Sequence, residues 1–184
     1  NGIAKGELVT IGANSGVGKS ALAIKIAINS FLKGKKILII SREMTKEQVA
    51  ERIIFSYTGI SKSKYENRDF NENDWQRIVR VMETFSTDDF KIDDKISTIQ
   101  GIKKELRSFK PDVLIVDYVQ LLTPNSSKDS RERQVAELSR ELKKITIDYG
   151  IIVLQLTQLA EKGTGNYRPH GESYTRESRA IYHD

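Results

Sequence analysis

The sequence predicts an α/β fold in which a mostly parallel central β-sheet is covered by helices on both faces. Short apolar segments of strand length alternate along the chain with segments of helical periodicity. The strand segments at residues 37–40 and 113–116 are continuously apolar, which is typical of parallel strands that are buried on both sides. A glycine-rich turn at residues 13–20 joins the first strand to the first helix, as in proteins built from βα units.

The amino-terminal part of the chain contains two predicted strand–helix units. Residues 8–12 form the first strand, and residues 19–31 form a helix that is apolar on nearly all faces. Residues 37–40 form the second strand. The pattern from Thr45 to Gln48 is a capping box, which predicts the start of the second helix.

The middle of the chain is polar at residues 59–70, and we expect a loop there. Asn71 is a favourable cap for the helix that follows. The apolar residues of this helix recur at helical spacing and begin with Trp75, so we expect the stripe to pack into the core. Its members are Trp75, Ile78, Val79, Met82 and Phe85.

The carboxyl-terminal part continues the alternation of strands and helices. The predicted elements are a strand at residues 90–92, a helix after a second capping box at residues 97–100, a strand at residues 113–116 that ends in Asp117, a helix at residues 130–149 and a strand at residues 151–156. From residue 161 the chain is polar and contains Gly163, Gly165 and Pro169, which predicts a mobile loop.

Composition limits the partners and the location. The 184 residues suit one domain with a sizeable core, and the abrupt ends indicate that residues 1–184 are a domain truncated at both ends. The net charge of +5 permits a nucleic-acid partner without requiring one. The chain has no cysteine, which favours a reducing, cytoplasmic compartment. No apolar run approaches the roughly 18 residues of a membrane span, so we expect no membrane association.

The turn after the first strand has the P-loop pattern, with alanine in place of the usual first glycine. It reads Ala13, Asn14, Ser15, Gly16, Val17, Gly18, Lys19 and Ser20. Glycines let backbone N–H groups surround a phosphate, Lys19 can reach the β- and γ-phosphates, and the Ser20 hydroxyl can ligate Mg²⁺. The pattern therefore predicts a site for ATP or another nucleoside triphosphate with Mg²⁺. The alternative is a glycine-rich turn with a stray lysine.

Three further polar residues follow predicted strands, and the carboxyl ends of parallel strands lie where α/β sheets bind ligands. Asp117 can hold Mg²⁺, or it is an ordinary aspartate in a turn. Glu43 can polarise the water that attacks a γ-phosphate, although a surface glutamate before a helix cap fits equally well. Gln158 suits a γ-phosphate sensor and Gln155 is a weaker candidate. The alternative for Gln158 is a solvent-exposed loop amide.

The polar segment after residue 161 carries arginines with aromatic residues between them. They are Tyr167, Arg168, Tyr174, Arg176 and Arg179. This combination suits binding of single-stranded nucleic acid, because bases stack on aromatic rings while arginines contact phosphates. A solvated charged loop is the alternative.

Taken together, these segments resemble the DnaB-type replicative helicases. Five segments carry the resemblance, and they occur in the order in which that family has them. They are residues 13–20, the Ser-Arg-Glu-Met of residues 41–44, the Asp-Tyr-Val-Gln-Leu-Leu of residues 117–122, the Thr-Gln-Leu of residues 157–159 and the Thr-Arg-Glu-Ser of residues 175–178. Its most specific part is the string that starts at Asp117. The resemblance implies a RecA-like P-loop NTPase fold and a helicase motor that hydrolyses ATP and translocates on single-stranded DNA.

The resemblance also implies roles for individual residues. Lys19 and Ser20 would bind phosphate and Mg²⁺, Glu43 would be the catalytic base, Asp117 the metal-binding acid and Gln158 the γ-phosphate sensor. Arg176, Glu177 and Arg179 would lie on a mobile DNA-facing loop at residues 161–179. The implied partners are single-stranded DNA, five further copies in a hexamer, a primase and a helicase loader.

The chain departs from the family pattern at two positions. Arg42 stands where the family commonly has leucine, and Arg179 stands where it commonly has glycine. We expect Arg42 to be solvated or at an interface. The family's arginine finger would lie beyond Asp184. The alternatives to a helicase motor are another RecA-like ATPase, such as a recombinase or a loader, and a nucleotide-binding scaffold subunit without turnover.

Overall fold

The structure is a computed structural model that describes residues 2–124 and 129–159. Within these residues, five strands form one sheet in the order β1-β5-β4-β2-β3, and each neighbouring pair is parallel. The strands are β1 (Leu8–Ala13), β2 (Ile37–Ser41), β3 (Phe90–Asp93), β4 (Val113–Asp117) and β5 (Ile152–Gln158). The predicted parallel sheet is confirmed. β1, β2, β3 and β5 extend beyond their predicted ends, and β5 therefore includes Gln158.

Helices cover both faces of the sheet. They are α1 (Lys19–Phe31), α2 (Lys46–Thr58), α3 (Lys62–Glu66), α4 (Glu72–Phe85), α5 (Ile99–Phe109) and α6 (Arg131–Asp148), and a 3₁₀ turn at Val119–Leu121 follows β4. Successive residues of a strand point to opposite faces. Ile37 and Ile39 accordingly join the core under α1, α2 and α4, whereas Leu38 and Ile40 join the core under α5 and α6. The apolar runs in β2 and β4 are continuous because both faces are buried.

The first predicted capping box is formed, and it fixes where α2 begins. The Thr45 hydroxyl accepts a hydrogen bond from the Gln48 N–H at 3.3 Å, and the Gln48 side chain accepts one from the Thr45 N–H at 3.0 Å. Asn71 caps α4 in the same reciprocal way with Asp74. These caps satisfy N–H groups that the first turn of a helix leaves without partners.

Two predictions of local structure are wrong. The segment expected to be a loop at residues 59–70 contains α3, whose first turn is capped by the Ser61 hydroxyl. The second predicted capping box is not formed, because α5 begins one residue later than the pattern suggests. Thr98 is the cap, and its hydroxyl accepts from the Gly101 N–H at 3.0 Å.

The apolar stripe of α4 is also not buried as a unit. Ile78 and Val81 lie in the core, whereas Trp75, Val79 and Met82 are 51%, 48% and 57% exposed. The predicted Ile78 is buried and Phe85 packs against the core, but the other buried positions are Asp74 and Val81, each one residue before a predicted member. Trp75 instead packs edge-on against Phe70. Helical spacing therefore identified the helix correctly but only part of its buried face.

The sheet brings the ends of four strands to one edge. Ala13, Ser41, Asp117 and Gln158 end β1, β2, β4 and β5. Backbone hydrogen bonds continue past them, from the Arg42 N–H to the Asp117 carbonyl at 2.7 Å and from the Leu159 N–H to the Ala13 carbonyl at 3.1 Å. We call this edge the carboxyl rim. In the part of the chain that the structure describes, no helix is long and apolar enough to cross a membrane.

Candidate active site

The carboxyl rim carries a cavity of about 290 Å³ between the P-loop, the segment after β2 and the end of β5. Its lining consists of Ser15, Gly16, Gly18, Lys19, Ser20, Glu43, Met44, Arg52 and Gln158. The P-loop, the segment that carries Glu43 and the end of β5 with Gln158 therefore meet at this edge, as the sequence predicted.

The P-loop has a backbone conformation that only glycine adopts readily. Gly16 and Gly18 have φ of 77° and 100°, and Gly18 is the cap of α1. No described side chain caps this helix, and its first turn contains no acidic residue. Its first N–H groups and the positive end of its dipole are therefore available to an anion. Ala13 replaces a glycine without strain because it is the last residue of β1, paired with Gln158.

The Lys19 ammonium group lies inside the P-loop. Its Nζ donates to the carbonyls of Ala13 and Asn14 at 3.0 and 3.1 Å. These neutral acceptors hold the ammonium group at the mouth of the cavity. Phosphate oxygens are stronger acceptors for a cation than carbonyls are.

Asp117 lies beside Ser20 at the base of the P-loop and is not part of the lining of the cavity. It is 4% exposed, and its Oδ1 has no hydrogen-bond partner among the described residues. Burial raises the pKa of the Asp117 carboxyl, and the nearby Glu43 carboxylate raises it further. The hydrogen bond with Ser20 and the charges of Lys19 and Arg52 act in the opposite direction.

A buried carboxylate oxygen without a partner next to a hydroxyl is a donor set that suits a hard divalent cation. Ser20 and Asp117 thus fit the metal site that the sequence predicted, since both supply oxygen and one oxygen is unsatisfied.

Glu43 is exposed and lines the cavity directly after β2. The turn that presents it is closed by Ser41, whose hydroxyl donates to the Met44 carbonyl at 2.7 Å. Of the two alternatives expected for Arg42, the structure does not support a fully solvated side chain, because its guanidinium donates to the Asp94 carbonyl beyond β3 and its Nε is buried. This hydrogen bond therefore connects the segment that carries Glu43 to the residue that follows β3.

The two candidate glutamines of β5 have different surroundings. Gln158 lines the cavity. Gln155 is fully buried, and its Nε2 donates to Thr10 Oγ1 at 2.8 Å and to Ser139 Oγ at 2.6 Å. Gln155 thus joins β1, β5 and α6 inside the core and has no access to the cavity.

Arg52 was missed by the sequence reasoning. It lies on α2, next to the buried Val49 and Ile53, and it lines the cavity opposite the P-loop. The sequence did contain one signal for Arg52. It lies nine residues after Glu43, at the polar border of the buried stripe of α2. Arg52 adds a second side-chain cation to the cavity beside Lys19. The predicted DNA-facing residues Arg176, Glu177 and Arg179 lie outside the described residues.

Comparison with known proteins gives one consistent result. The family model described as the DnaB-like helicase C-terminal domain matches residues 1–184. The chain is 32% identical over 169 residues to a probable plasmid replicative DNA helicase of Chlamydia trachomatis and 31% identical over 166 residues to the replicative DNA helicase DnaC of Bacillus subtilis. These matches cover 87% and 86% of the chain but 37% of each relative, so the chain spans little more than a third of their length.

Solved structures agree with the sequence matches. A structure described as an ATPase domain superposes with a TM-score of 0.87 at 29% identity, covering 97% of this chain and 66% of that chain. A DnaB-like replicative helicase, studied with its primase interactions, superposes with a TM-score of 0.89 at 30% identity, covering 97% of this chain and 45% of that chain. The RecA-like fold predicted from the sequence is thereby confirmed.

Proposed function

The chain belongs to the DnaB-like helicase C-terminal domain family, and on this basis we propose that it is the motor domain of a replicative DNA helicase. In this proposal the domain hydrolyses ATP and uses the energy to translocate on single-stranded DNA and to unwind a duplex. The observation that carries it is the cavity on the carboxyl rim, where Lys19, Glu43, Arg52 and Gln158 surround a space beside a P-loop.

The nucleotide binds through its phosphates in this proposal. The free N–H groups at the start of α1 receive the phosphates, and the Lys19 ammonium exchanges the carbonyls of Ala13 and Asn14 for β- and γ-phosphate oxygens. Arg52 offers a second positive charge from the opposite wall. The cavity therefore suits a triphosphate with its γ-phosphate between Lys19 and Arg52.

The proposed metal is Mg²⁺, held by Ser20 and Asp117. When bound, it would neutralise charge on the phosphate oxygens. The unsatisfied Oδ1 of Asp117 supports this assignment, because a buried carboxylate oxygen without a donor is costly until a cation or proton joins it.

The hydrolytic step needs an activated water at the γ-phosphate. Glu43 is the proposed base, since its carboxylate is exposed to the cavity and can take a proton from that water. Gln158 is the proposed sensor, whose amide can bond to the γ-phosphate and transmit its presence to the segment after β5.

The same proposal covers the partners. Single-stranded DNA would be contacted by Arg176, Glu177 and Arg179 on a mobile loop at residues 161–179, and six copies would form a ring in the cytoplasm. A solved relative is described with its interactions with primase, and this supports primase as a further partner. The predicted helicase loader is part of the proposal as well.

Replacement of Asp117 by asparagine tests the metal assignment. Because burial raises its pKa, the ionised carboxylate costs folding free energy at pH values above that pKa. We expect Asp117→Asn to raise the melting temperature of the nucleotide-free domain by a few degrees at pH 7, at about 2–4 °C per kcal/mol. We expect Mg²⁺-dependent hydrolysis to fall about 100-fold or more.

The stability gain should shrink as the pH falls through the raised pKa, because Asp117 then becomes neutral in the wild type too. Asp112→Asn is the matched control. The pKa of Asp112 is lowered, chiefly by hydrogen bonds from the Lys36 backbone N–H and from Lys5, so this variant should lose stability and keep its hydrolysis rate. Full activity of Asp117→Asn would remove Asp117 from the metal site.

Unwinding of a forked DNA duplex by the full-length protein tests the proposed function. We expect strand separation with ATP and Mg²⁺ and none with a nonhydrolysable ATP analogue. Filament formation with pairing of homologous strands would instead indicate a recombinase. Nucleotide binding without phosphate release would indicate a scaffold subunit.

A further inference from the structure

Among the residues that the structure describes, none provides a strand neighbour for the end of β5 on one of its two sides. β4 pairs with β5 only as far as Val116 and Gln155, because the chain leaves this pairing at Asp117 and turns into the 3₁₀ turn. On the other side, β1 pairs with β5 as far as Gln158. The Leu159 N–H points toward β1, where it donates to the Ala13 carbonyl. Since backbone groups of successive strand residues point to opposite sides, those of Gln158 point toward the missing strand.

The side chain of Gln120 occupies that place. Its Nε2 donates to the Gln158 carbonyl at 3.0 Å, and its Oε1 accepts from the Gln158 N–H at 3.3 Å. Nε2 also donates to the Thr157 hydroxyl at 2.6 Å. The amide thus bonds to both backbone groups of Gln158, as a residue of a neighbouring strand would.

Gln120 is itself held in place. It is 6% exposed, it lies in the 3₁₀ turn shortly after Asp117, and its neighbour Val119 is fully buried. The Arg131 guanidinium, at the start of α6, donates to the Gln120 carbonyl. One residue therefore connects the end of β5 to the segment after β4 and to the start of α6.

We propose that Gln120 is a positioning residue for Gln158. By fixing the Gln158 backbone it sets where the Gln158 side chain meets the γ-phosphate, and it transmits movement of that side chain to α6 through Arg131. This inference rests on the proposed role of Gln158 as γ-phosphate sensor.

Gln120→Met in the full-length protein tests the inference, because methionine keeps the length of the side chain and removes both the donor and the acceptor. Misplacement of a catalytic contact by about 1 Å costs up to roughly 100-fold in rate, so we expect kcat for ATP hydrolysis to fall about 10- to 100-fold. ADP affinity should stay unchanged. The preference for a nonhydrolysable triphosphate analogue over ADP should decrease, because only the triphosphate contacts the sensor.

The matched control is Gln155→Met, because Gln155 lies on β5, the strand that ends at Gln158. Gln155 is also buried and also makes side-chain hydrogen bonds, but with Thr10 and Ser139, away from the cavity. We expect this variant to lose thermal stability as Gln120→Met does, and to keep both kcat and the triphosphate preference. Should Gln120→Met fail to fold, Gln120→Glu keeps the shape but places a carboxylate against the Gln158 carbonyl, and it should show the same kinetic defect.

A third variant separates failure of this inference from failure of the proposed function. Gln158→Ala should lower kcat, and adding Gln120→Met to it should lower kcat no further, since the residue being positioned is gone. Wild-type kcat in Gln158→Ala would overturn the sensor role and the inference with it. A defect in Gln158→Ala together with unchanged kcat and triphosphate preference in Gln120→Met would overturn the inference alone.

Discussion

Lys19→Ala is expected to weaken ATP binding by roughly 100-fold or more and to abolish hydrolysis with it. The ammonium group lies in the P-loop on two carbonyls, 3.0 and 3.1 Å away, which phosphate oxygens would replace. Hydrogen bonds to charged groups contribute about 1.5–3 kcal/mol each, and each 1.4 kcal/mol is about tenfold in affinity. Loss of contacts to two phosphates therefore predicts roughly 100-fold weaker binding or more.

Equilibrium titration of the full-length protein with a fluorescent ATP analogue measures this effect. Lys25→Ala is the matched control, because Lys25 is an exposed lysine on the same helix and does not line the cavity. We expect wild-type affinity in this control. Undiminished affinity in Lys19→Ala would show that the P-loop does not hold the phosphates.

Glu43→Gln is expected to leave nucleotide binding intact and to remove turnover. General-base catalysis contributes about 10²- to 10⁴-fold to a rate, and an amide of the same shape cannot take the proton from water. Glu43 is exposed, so the substitution should not disturb the core. Single-turnover hydrolysis of bound ATP is the measurement, since it isolates the chemical step from binding and product release.

Glu47→Gln controls for the loss of one negative charge in this region. Glu47 is exposed in the first turn of α2 and is absent from the cavity lining, so hydrolysis should stay at the wild-type rate. A normal rate in Glu43→Gln would assign the base to another group. Weaker ATP binding in that variant would indicate that Glu43 contributes to affinity instead.

The sequence predicted most of the sheet because its physical signals are local. The continuous apolar runs of β2 and β4 indicate burial on both faces, and parallel strands between two helical layers provide that. The capping box at Thr45 predicted the start of α2 because both of its hydrogen bonds lie within four residues. Such short-range patterns need no knowledge of the tertiary structure.

The errors occur where tertiary contacts choose between similar local options. Helical periodicity in α4 allowed two overlapping stripes that share Ile78, and packing against α2 buried Val81 rather than Trp75. The polar composition of residues 59–70 concealed α3, a single short helix capped by Ser61. Neither choice is encoded in a window of neighbouring residues.

The candidate site residues fall into the same two groups, those that a local pattern predicts and those that depend on tertiary contacts. The P-loop and Asp117 could be predicted because a motif or a strand end defines each of them. Arg52 and Gln120 could not be assigned roles, since the cavity lining depends on how α2 lies across the rim and the Gln120 contacts depend on where β4 leaves β5. Sequence reasoning thus identified the proposed phosphate-binding residues more readily than residues whose positions depend on tertiary contacts.

The central proposal is that ATP hydrolysis at the carboxyl rim drives strand separation. The roles proposed for Lys19, Glu43 and Gln158 all concern that hydrolysis. Strand separation and phosphate release measured in the same forked-duplex reaction, with full-length wild type and Glu43→Gln, test it most directly. The prediction is that both rates fall together in Glu43→Gln while ATP still binds. Strand separation at the wild-type rate in Glu43→Gln would contradict it.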